Sequence, residues 1–170
     1  MGTGQSSSCA SYGDKLNATL SSMGLWYRFI EFDESVKTVE QAAKKVQAEK
    51  IAKSIVMVDA DGEPLVAIVP ALSKISYRKL KGLLSVRDVR LANAQEVLEH
   101  SGYPVGGVPP FNNIKRVLLD QQLLQKETAI VGGGDVNKLV EIRTKDMVEV
   151  LNPRVADICK NQSELGIRAG

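Results

Sequence analysis

A lysine at the mouth of an apolar run is the first place where this sequence offers chemistry. In Ile51-Ala52-Lys53-Ser54-Ile55-Val56, the Lys53 ammonium can stand over a pocket as a point charge for a phosphate or a carbonyl oxygen. The same lysine can also guard a strand edge against unwanted pairing. The second place is Ser101-Gly102-Tyr103-Pro104-Val105-Gly106-Gly107-Val108-Pro109-Pro110-Phe111, with three glycines and three prolines in eleven residues. Its prolines exclude a helix interior and a central strand. Tyr103, Val105, Val108 and Phe111 are expected to anchor it to a core. The N–H groups of Gly106, Gly107 and Val108 can then line an oxyanion or fix a water, or the stretch can be a buried turn with no ligand. Gly132-Gly133-Gly134 follows an apolar run. It lacks the Lys-Ser/Thr of a phosphate-binding P-loop, so it is read either as a wide turn or as a place where a substrate backbone or ribose comes close. Asp120 ends another apolar run, where it can bind an amine or a ribose hydroxyl or cap a helix. Tyr27, in an aromatic strand, is a further candidate for substrate contact.

Lys74, Arg78, Lys79, Lys81, Arg87 and Arg90 cluster with only Asp88 against them. Such a run can hold a phosphate backbone or form a solvated helix face. The whole chain carries 22 basic and 20 acidic residues, a net charge of +2. That argues against wrapping nucleic acid but not against docking one end of a tRNA. His100 is the only histidine, and no Gly-x-Ser-x-Gly nucleophile elbow is present. Cys9 and Cys159 sit near opposite ends and make neither a disulfide framework nor a metal cluster. No metal or cofactor is expected, no apolar run is long enough for a membrane span, and a reduced cytoplasmic setting fits.

The elements that must position these residues follow from periodicity. A helix is predicted over Tyr12–Met23, closed by Gly24, then a strand over Trp26–Phe32. Thr38 and Gln41 form a capping box opening a helix through Ala48. Ser54–Val58 and Leu65–Val69 flank an Asp61-Gly62 turn and read as a hairpin buried on both faces. A basic helix over Tyr77–Leu84, a strand over Val89–Leu91 and a helix capped by Asn93 and Glu96 lead into the glycine-proline loop. Strands over Val117–Leu119, Thr128–Val131 and Leu139–Ile142 follow, then a helix capped by Thr144 and a helical tail past Pro153. At 170 residues one domain is expected, over 12–160. Residues 1–11 are read as a flexible tail, although Met1-Gly2 with Ser6 matches an acylation pattern and Cys9 could be a second site. A C-terminal tail is expected over 161–170. Interleaved short strands and helices give an α/β (α+β) fold, a mixed sheet with helices around it.

In this order the pieces resemble the YbaK / prolyl-tRNA-synthetase-associated editing-domain family. The resemblance rests on Thr38-Val39-Glu40-Gln41-Ala42-Ala43, Lys53-Ser54 and Leu91-Ala92. It continues through Gly102-Tyr103-Pro104, Gly106-Gly107-Val108-Pro109-Pro110-Phe111, Asp120 after Val117-Leu118-Leu119, and the strand into Gly133-Gly134. It covers roughly residues 20–152. It implies a barrel-like mixed sheet surrounded by helices, and trans-editing hydrolysis of misacylated tRNA, chiefly tRNA-Pro carrying a small amino acid such as cysteine or alanine. By that resemblance Lys53 is the family's essential lysine and Gly106–Pro110 its Gly-x-x-x-Pro loop. Ser54, Pro110, Asp120, Gly132, Gly133, Gly134 and Tyr27 are expected to touch the substrate, and Lys74, Arg78, Lys79 and Lys81 the tRNA. Ser54 stands where the family often has threonine and an alanine-specific branch has asparagine. Gly132 stands where some relatives carry serine, and an acidic residue expected near Leu139–Glu141 has no clear match. The implied mechanism is water attack on the ester, with the loop amides polarising the carbonyl or fixing the water. Lys53 would hold a phosphate or carbonyl, and a ribose hydroxyl of the tRNA would assist. Alternatively, a substrate thiol attacks its own ester. A non-catalytic module for tRNA ends or a synthetase, and a plain metabolite-binding domain, are the rival readings.

Overall fold

A computed structural model describes residues 10–32 and 48–161. The predicted helix from Thr38, the acylation pattern, Cys9 and most of the C-terminal tail lie outside the described residues. Helix α1 (Tyr12–Ser22) opens on a capping box between Ser11 and Asp14, and it buries Leu16 and Leu20. Strand β1 (Tyr27–Glu31) follows. Strands β2 (Ala52–Asp59) and β3 (Pro64–Pro70) form the expected hairpin, turned by Gly62 at φ +84°. Next come α2 (Tyr77–Leu84), β4 (Val89–Leu91) and α3 (Ala94–Ser101), the last with its Asn93–Glu96 capping box in place. Strands β5 (Val117–Asp120), β6 (Thr128–Gly133) and β7 (Asp135–Arg143), helix α4 (Thr144–Leu151) and strand β8 (Arg154–Ala156) complete the order.

The strands make two sheets, β1-β7-β6 and β4-β2-β3-β5-β8. A single parallel bridge, Ile51 with Ile130, joins β2 to β6. The described strands form a mixed sheet system with helices around it, without closing into a barrel. Side chains alternate along a strand, so the β2–β3 hairpin feeds two cores. Ala52, Val56, Val66 and Ile68 enter one core with Leu16, Leu20, Tyr103, Val108 and Phe111. Met57, Leu65, Ala67 and Val69 enter another with Leu80 of α2. Five consecutive residues of β3 are buried, as expected for a strand covered on both faces. Pairing is antiparallel for β2–β3 and β6–β7 but parallel for β3–β5 and β5–β8.

Four expectations are corrected. The tail past Pro153 is not helical at its start. Asn152 at φ +46° ends α4, Pro153 cannot continue it, and β8 instead pairs with Leu118–Asp120 of β5. Thr144 does not cap α4. Arg143 holds that position without a side-chain bond, and the Thr144 hydroxyl is buried with no partner. Gly132–Gly134 is not a wide turn, because β6 runs through Gly133 and only Gly134, at φ +97°, turns the chain. Val105 does not anchor the loop; it stands 50% exposed at its tip.

Candidate active site

The site is built where a sheet comes apart. Along one edge, β2 pairs with β3 from Ala52↔Pro70 to Val58↔Pro64. Odd-numbered residues point their main-chain groups that way, as the bonds Ala71 N to Ile51 O (2.8 Å) and Asp59 N to Glu63 O (3.0 Å) show. Even-numbered residues therefore face the other edge. There the Ile51–Ile130 bridge covers one end. The other end is covered by Ala92 N donating to Val56 O (3.0 Å) and by the β4 pairs from Met57 onward. Between them lies Ser54. Its N–H and C=O face that edge, between the Ile51–Ile130 bridge and the β4 pairing, and its buried hydroxyl has no hydrogen-bond partner among the described residues.

Glycines explain why β6 leaves β2. Continued by two residues, the Ile51–Ile130 register would set Gly132 opposite Lys53. Instead Gly132 turns against the glycine-proline loop, so closely that a Cβ there would collide with Val108 O. A Cβ at Gly107 would collide with Gly134 O, and Gly134 N donates to Gly107 O at 2.8 Å. The triple glycine thus admits the chain's own backbone, the loop Gly106–Val108, rather than an open cradle. The structure brings Gly132 against Val108 and Gly134 against Gly107, beyond the Ile51–Ile130 bridge that precedes Lys53 and Ser54 in the chain. Lys53 and Ser54 project from opposite faces of β2. Lys53 is partly exposed, and its ammonium has no partner among the described residues.

In the loop, Gly107 to Phe111 are buried and Gly106 is exposed. Of the three expected donors, the Gly107 amide already donates to Pro104 O (3.0 Å). The amides of Gly106 and Val108 make no hydrogen bond among the described residues. Helix α1 braces the loop from behind. Tyr12 N and Gly13 N donate to the Asp135 carboxylate at 3.2 and 3.1 Å. The Lys15 ammonium lies 4.7 Å from the Tyr103 ring centroid, and the Tyr12 and Tyr103 rings meet at 6.1 Å. No sequence signal joins Tyr12 to Asp135, because the pairing spans 123 residues.

Other candidates stand apart. Asp120 is fully buried and caps a short 3-10 turn through Gln122 N (2.9 Å), while its second oxygen accepts from Ile158 N (3.0 Å). Burial and the Asp120 charge push the nearby Cys159 thiol up to about 12. Tyr27 donates its hydroxyl to Asn17 Oδ1 at 2.6 Å. Lys74, before α2, and Arg78 on it are exposed and Lys81 is half-buried, whereas Lys79 donates to Asp157 (2.9 Å) and Cys159 O (2.7 Å). Glu141 was not singled out as a match. It is buried on the face of β7 away from the main core, held by Arg28 and Thr128 at 2.7 Å each. Burial raises its pKa, but these hydrogen bonds outweigh that and lower it overall. A groove of about 500 Å³ lined by Glu63, Glu99, His100, Lys115 and Arg116 among others contains none of the candidate residues. Among the described residues there is no cluster of three metal-binding side chains, and no helix is long and apolar enough to cross a membrane.

Comparison with known proteins points one way. The chain is 34% identical over 137 residues to the uncharacterized protein YwhH of Bacillus subtilis (strain 168), covering 77% of this chain and 86% of that one. It is 29% identical over 138 residues to a proline–tRNA ligase of Thermosipho africanus (strain TCF52B), covering 75% of this chain but only 24% of the ligase. Among solved structures, the hypothetical protein APE2540 superposes with a TM-score of 0.78 at 32% identity, covering 86% and 99% of the two chains. A protein provisionally described as a trans-editing enzyme for prolyl tRNA synthetase superposes at 0.79 with 25% identity, covering 88% and 98%. The model of the aminoacyl-tRNA editing domain matches residues 33–150, a span that contains β2, the glycine-proline loop and the slit between them, and this chain belongs to that family.

Proposed function

We propose that this protein acts in trans as a deacylase, hydrolysing the ester of a misacylated tRNA, with tRNA-Pro carrying a small amino acid as the substrate class. The observation that carries this reading is the slit. Buried polar groups are nearly always paired, yet the Ser54 hydroxyl and the Val108 amide have no hydrogen-bond partner among the described residues. An aminoacyl ester is a reactive acyl donor and needs no strong nucleophile. The Val108 and Gly106 amides polarise its carbonyl or fix the attacking water. Lys53 holds a phosphate or carbonyl oxygen of the terminal aminoacyl-adenosine as a point charge. The free ribose hydroxyl of the tRNA assists, since the slit offers no side-chain base among the described residues. For a cysteinyl substrate, the thiol can attack its own ester instead. Substrate choice rests on pocket size, where one methylene changes the rate roughly 10–200-fold. Lys74 before α2, and Arg78 and Lys81 on it, contact tRNA phosphates. This work belongs to the compartment of translation, the cytoplasm, beside a prolyl-tRNA synthetase.

The test is release of amino acid from tRNA-Pro charged with alanine, cysteine or serine. Wild type should turn over at least one. Lys53→Ala should reduce that turnover by on the order of 100-fold, the scale of losing one electrostatic contact to a developing charge. Retained tRNA binding without turnover on any member would mark a non-catalytic module. No tRNA dependence and no salt dependence of binding would mark a metabolite-binding domain.

A further inference from the structure

We propose that Asp135 is a positioning residue for the reaction: it clamps the first turn of α1 onto Gly134, and Gly134 in turn aims the Val108 N–H. This rests on the deacylase reading above and adds the device that orients its carbonyl donor. The starting point is one peptide group. Gly107 O and Val108 N–H belong to the same planar trans amide, so they point in opposite directions. Gly107 O accepts from Gly134 N at 2.8 Å. That bond turns the Val108 N–H away from Gly134, and this N–H has no hydrogen-bond partner among the described residues. An amide that accepts at its oxygen is also polarised toward stronger donation at its nitrogen. The preceding amide, Gly107 N, closes a turn on Pro104 O at 3.0 Å with Gly106 at φ +93°, the positive φ of a type II turn. That turn shapes the loop tip, but the direction of the Val108 N–H depends on where Gly134 stands.

Gly134 is packed between backbones. Gly107 lies so near that a Cβ on Gly107 would collide with Gly134 O. The first turn of α1 also lies against it, since a Cβ on Gly134 would meet Tyr12 O and Gly13 N. One side chain ties that turn down. The Asp135 carboxylate accepts from Tyr12 N on one oxygen and from Gly13 N on the other, at 3.2 and 3.1 Å. The Lys138 ammonium stands 3.4 Å from the same carboxylate and 3.5 Å from Glu31, so the clamp is itself held by charge. The same turn of α1 grips the loop a second time, with the Tyr12 ring against Tyr103 and Lys15 over the Tyr103 ring. Removing the Asp135 carboxylate leaves two helix amides unmet and takes one support from Gly134. The Val108 N–H then samples directions away from the ester carbonyl. Asp135 touches no reacting atom in this scheme; it acts through Gly134 and the Gly107–Val108 amide.

The experiment is steady-state deacylation of the best substrate of the misacylated panel. Removing a carbonyl donor outright costs roughly 10²–10³ in kcat. Asp135→Ala leaves the donor present but loosely aimed, so kcat should fall by about tenfold, with KM within about twofold of wild type. Asp135→Asn keeps one acceptor oxygen for the helix amides and should recover part of the loss. Ile68→Ala, the more destabilising change, should keep kcat per folded molecule. An unchanged kcat in Asp135→Ala, a loss confined to KM, or no recovery in Asp135→Asn overturns the assignment and leaves the deacylase reading standing. If wild type hydrolyses no member of the panel, the deacylase reading fails, and the ligand-free protein still decides this point. In its ¹⁵N–¹H spectrum the Val108 amide should shift in Asp135→Ala and return toward its wild-type position in Asp135→Asn. A Val108 amide that stays in place overturns the assignment.

Discussion

The two edges of β2 carry the same residues and do opposite things. Toward β3 each main-chain group finds a partner from Ala52 to Val58, and the side chains fill two cores. Toward β6 the pairing stops after one bridge, and the buried Ser54 hydroxyl is left without a partner among the described residues. Leaving a buried donor or acceptor unpaired costs on the order of 1–3 kcal/mol. A fold that retains such a gap has a stable edge to offset it. The difference shows how one strand can be scaffold on one side and binding surface on the other, with no change in its sequence character.

The comparison can be broken first at the paired edge. Ile68→Ala in β3 should cost about 2–5 kcal/mol, as for other fully buried aliphatics, measured by urea unfolding. Turnover per folded molecule should stay near wild type, and a selective loss of turnover would blur the division between the edges. Gly132→Ala acts on the junction. Its Cβ meets backbone, which cannot rotate away, so about 1–3 kcal/mol of stability should be lost, together with turnover beyond what unfolding explains. Full activity would show that the slit does not depend on this approach. Asp135→Ala should cost about 1 kcal/mol by freeing the first two helical amides of α1, and amide exchange should quicken in α1 and around Tyr103 while β2–β3 stays protected.

Glu141 sharpens the picture through pH. Its folded pKa is lowered, so its contribution is present above the unfolded value of 4.5 and is lost as pH falls through the lower folded value. Glu141→Gln should flatten the acid limb of stability below about pH 4.5 without moving the neutral rate, read from unfolding at several pH values. The smallest effect is expected for Val105→Ser. Its side chain is half exposed at the loop tip, and the stability change should stay within about 0.5 kcal/mol.

Much of this was legible in the sequence because it was local. The β2–β3 hairpin declares itself by two β-branched runs around Asp61-Gly62, and Asn93 with Glu96 announces α3. Lys53 and the glycine-proline loop stood out by residue type. What escaped was set by contacts distant in the chain. Nothing near Asn152 says that β5 lacks a neighbour, so β8 looked like more helix. Nothing in Gly132-Gly133-Gly134 says that the backbone it admits is residues 107–108, so the glycines read equally as a wide turn or as room for a substrate backbone or ribose. The unpartnered Ser54 hydroxyl is invisible for the same reason, since what surrounds it is set by elements distant in the chain. Val105 misled because an apolar type was taken for burial, and single exposed apolar residues are common.

The staple between α1 and Asp135 also sets an order in time. Tyr12 and Gly13 leave the ribosome 123 and 122 residues ahead of the carboxylate that holds them, and Tyr103 also follows long after. Until then Leu16 and Leu20 have no final core to enter, whereas β2 and β3 can pair as soon as both are made. At about 5–20 residues per second, the first helix stays undocked for roughly 6–25 seconds of synthesis. Helix α1 is thus made well before it can dock, and a chain cut short before Asp135 would display two leucines to whatever chaperone is nearest.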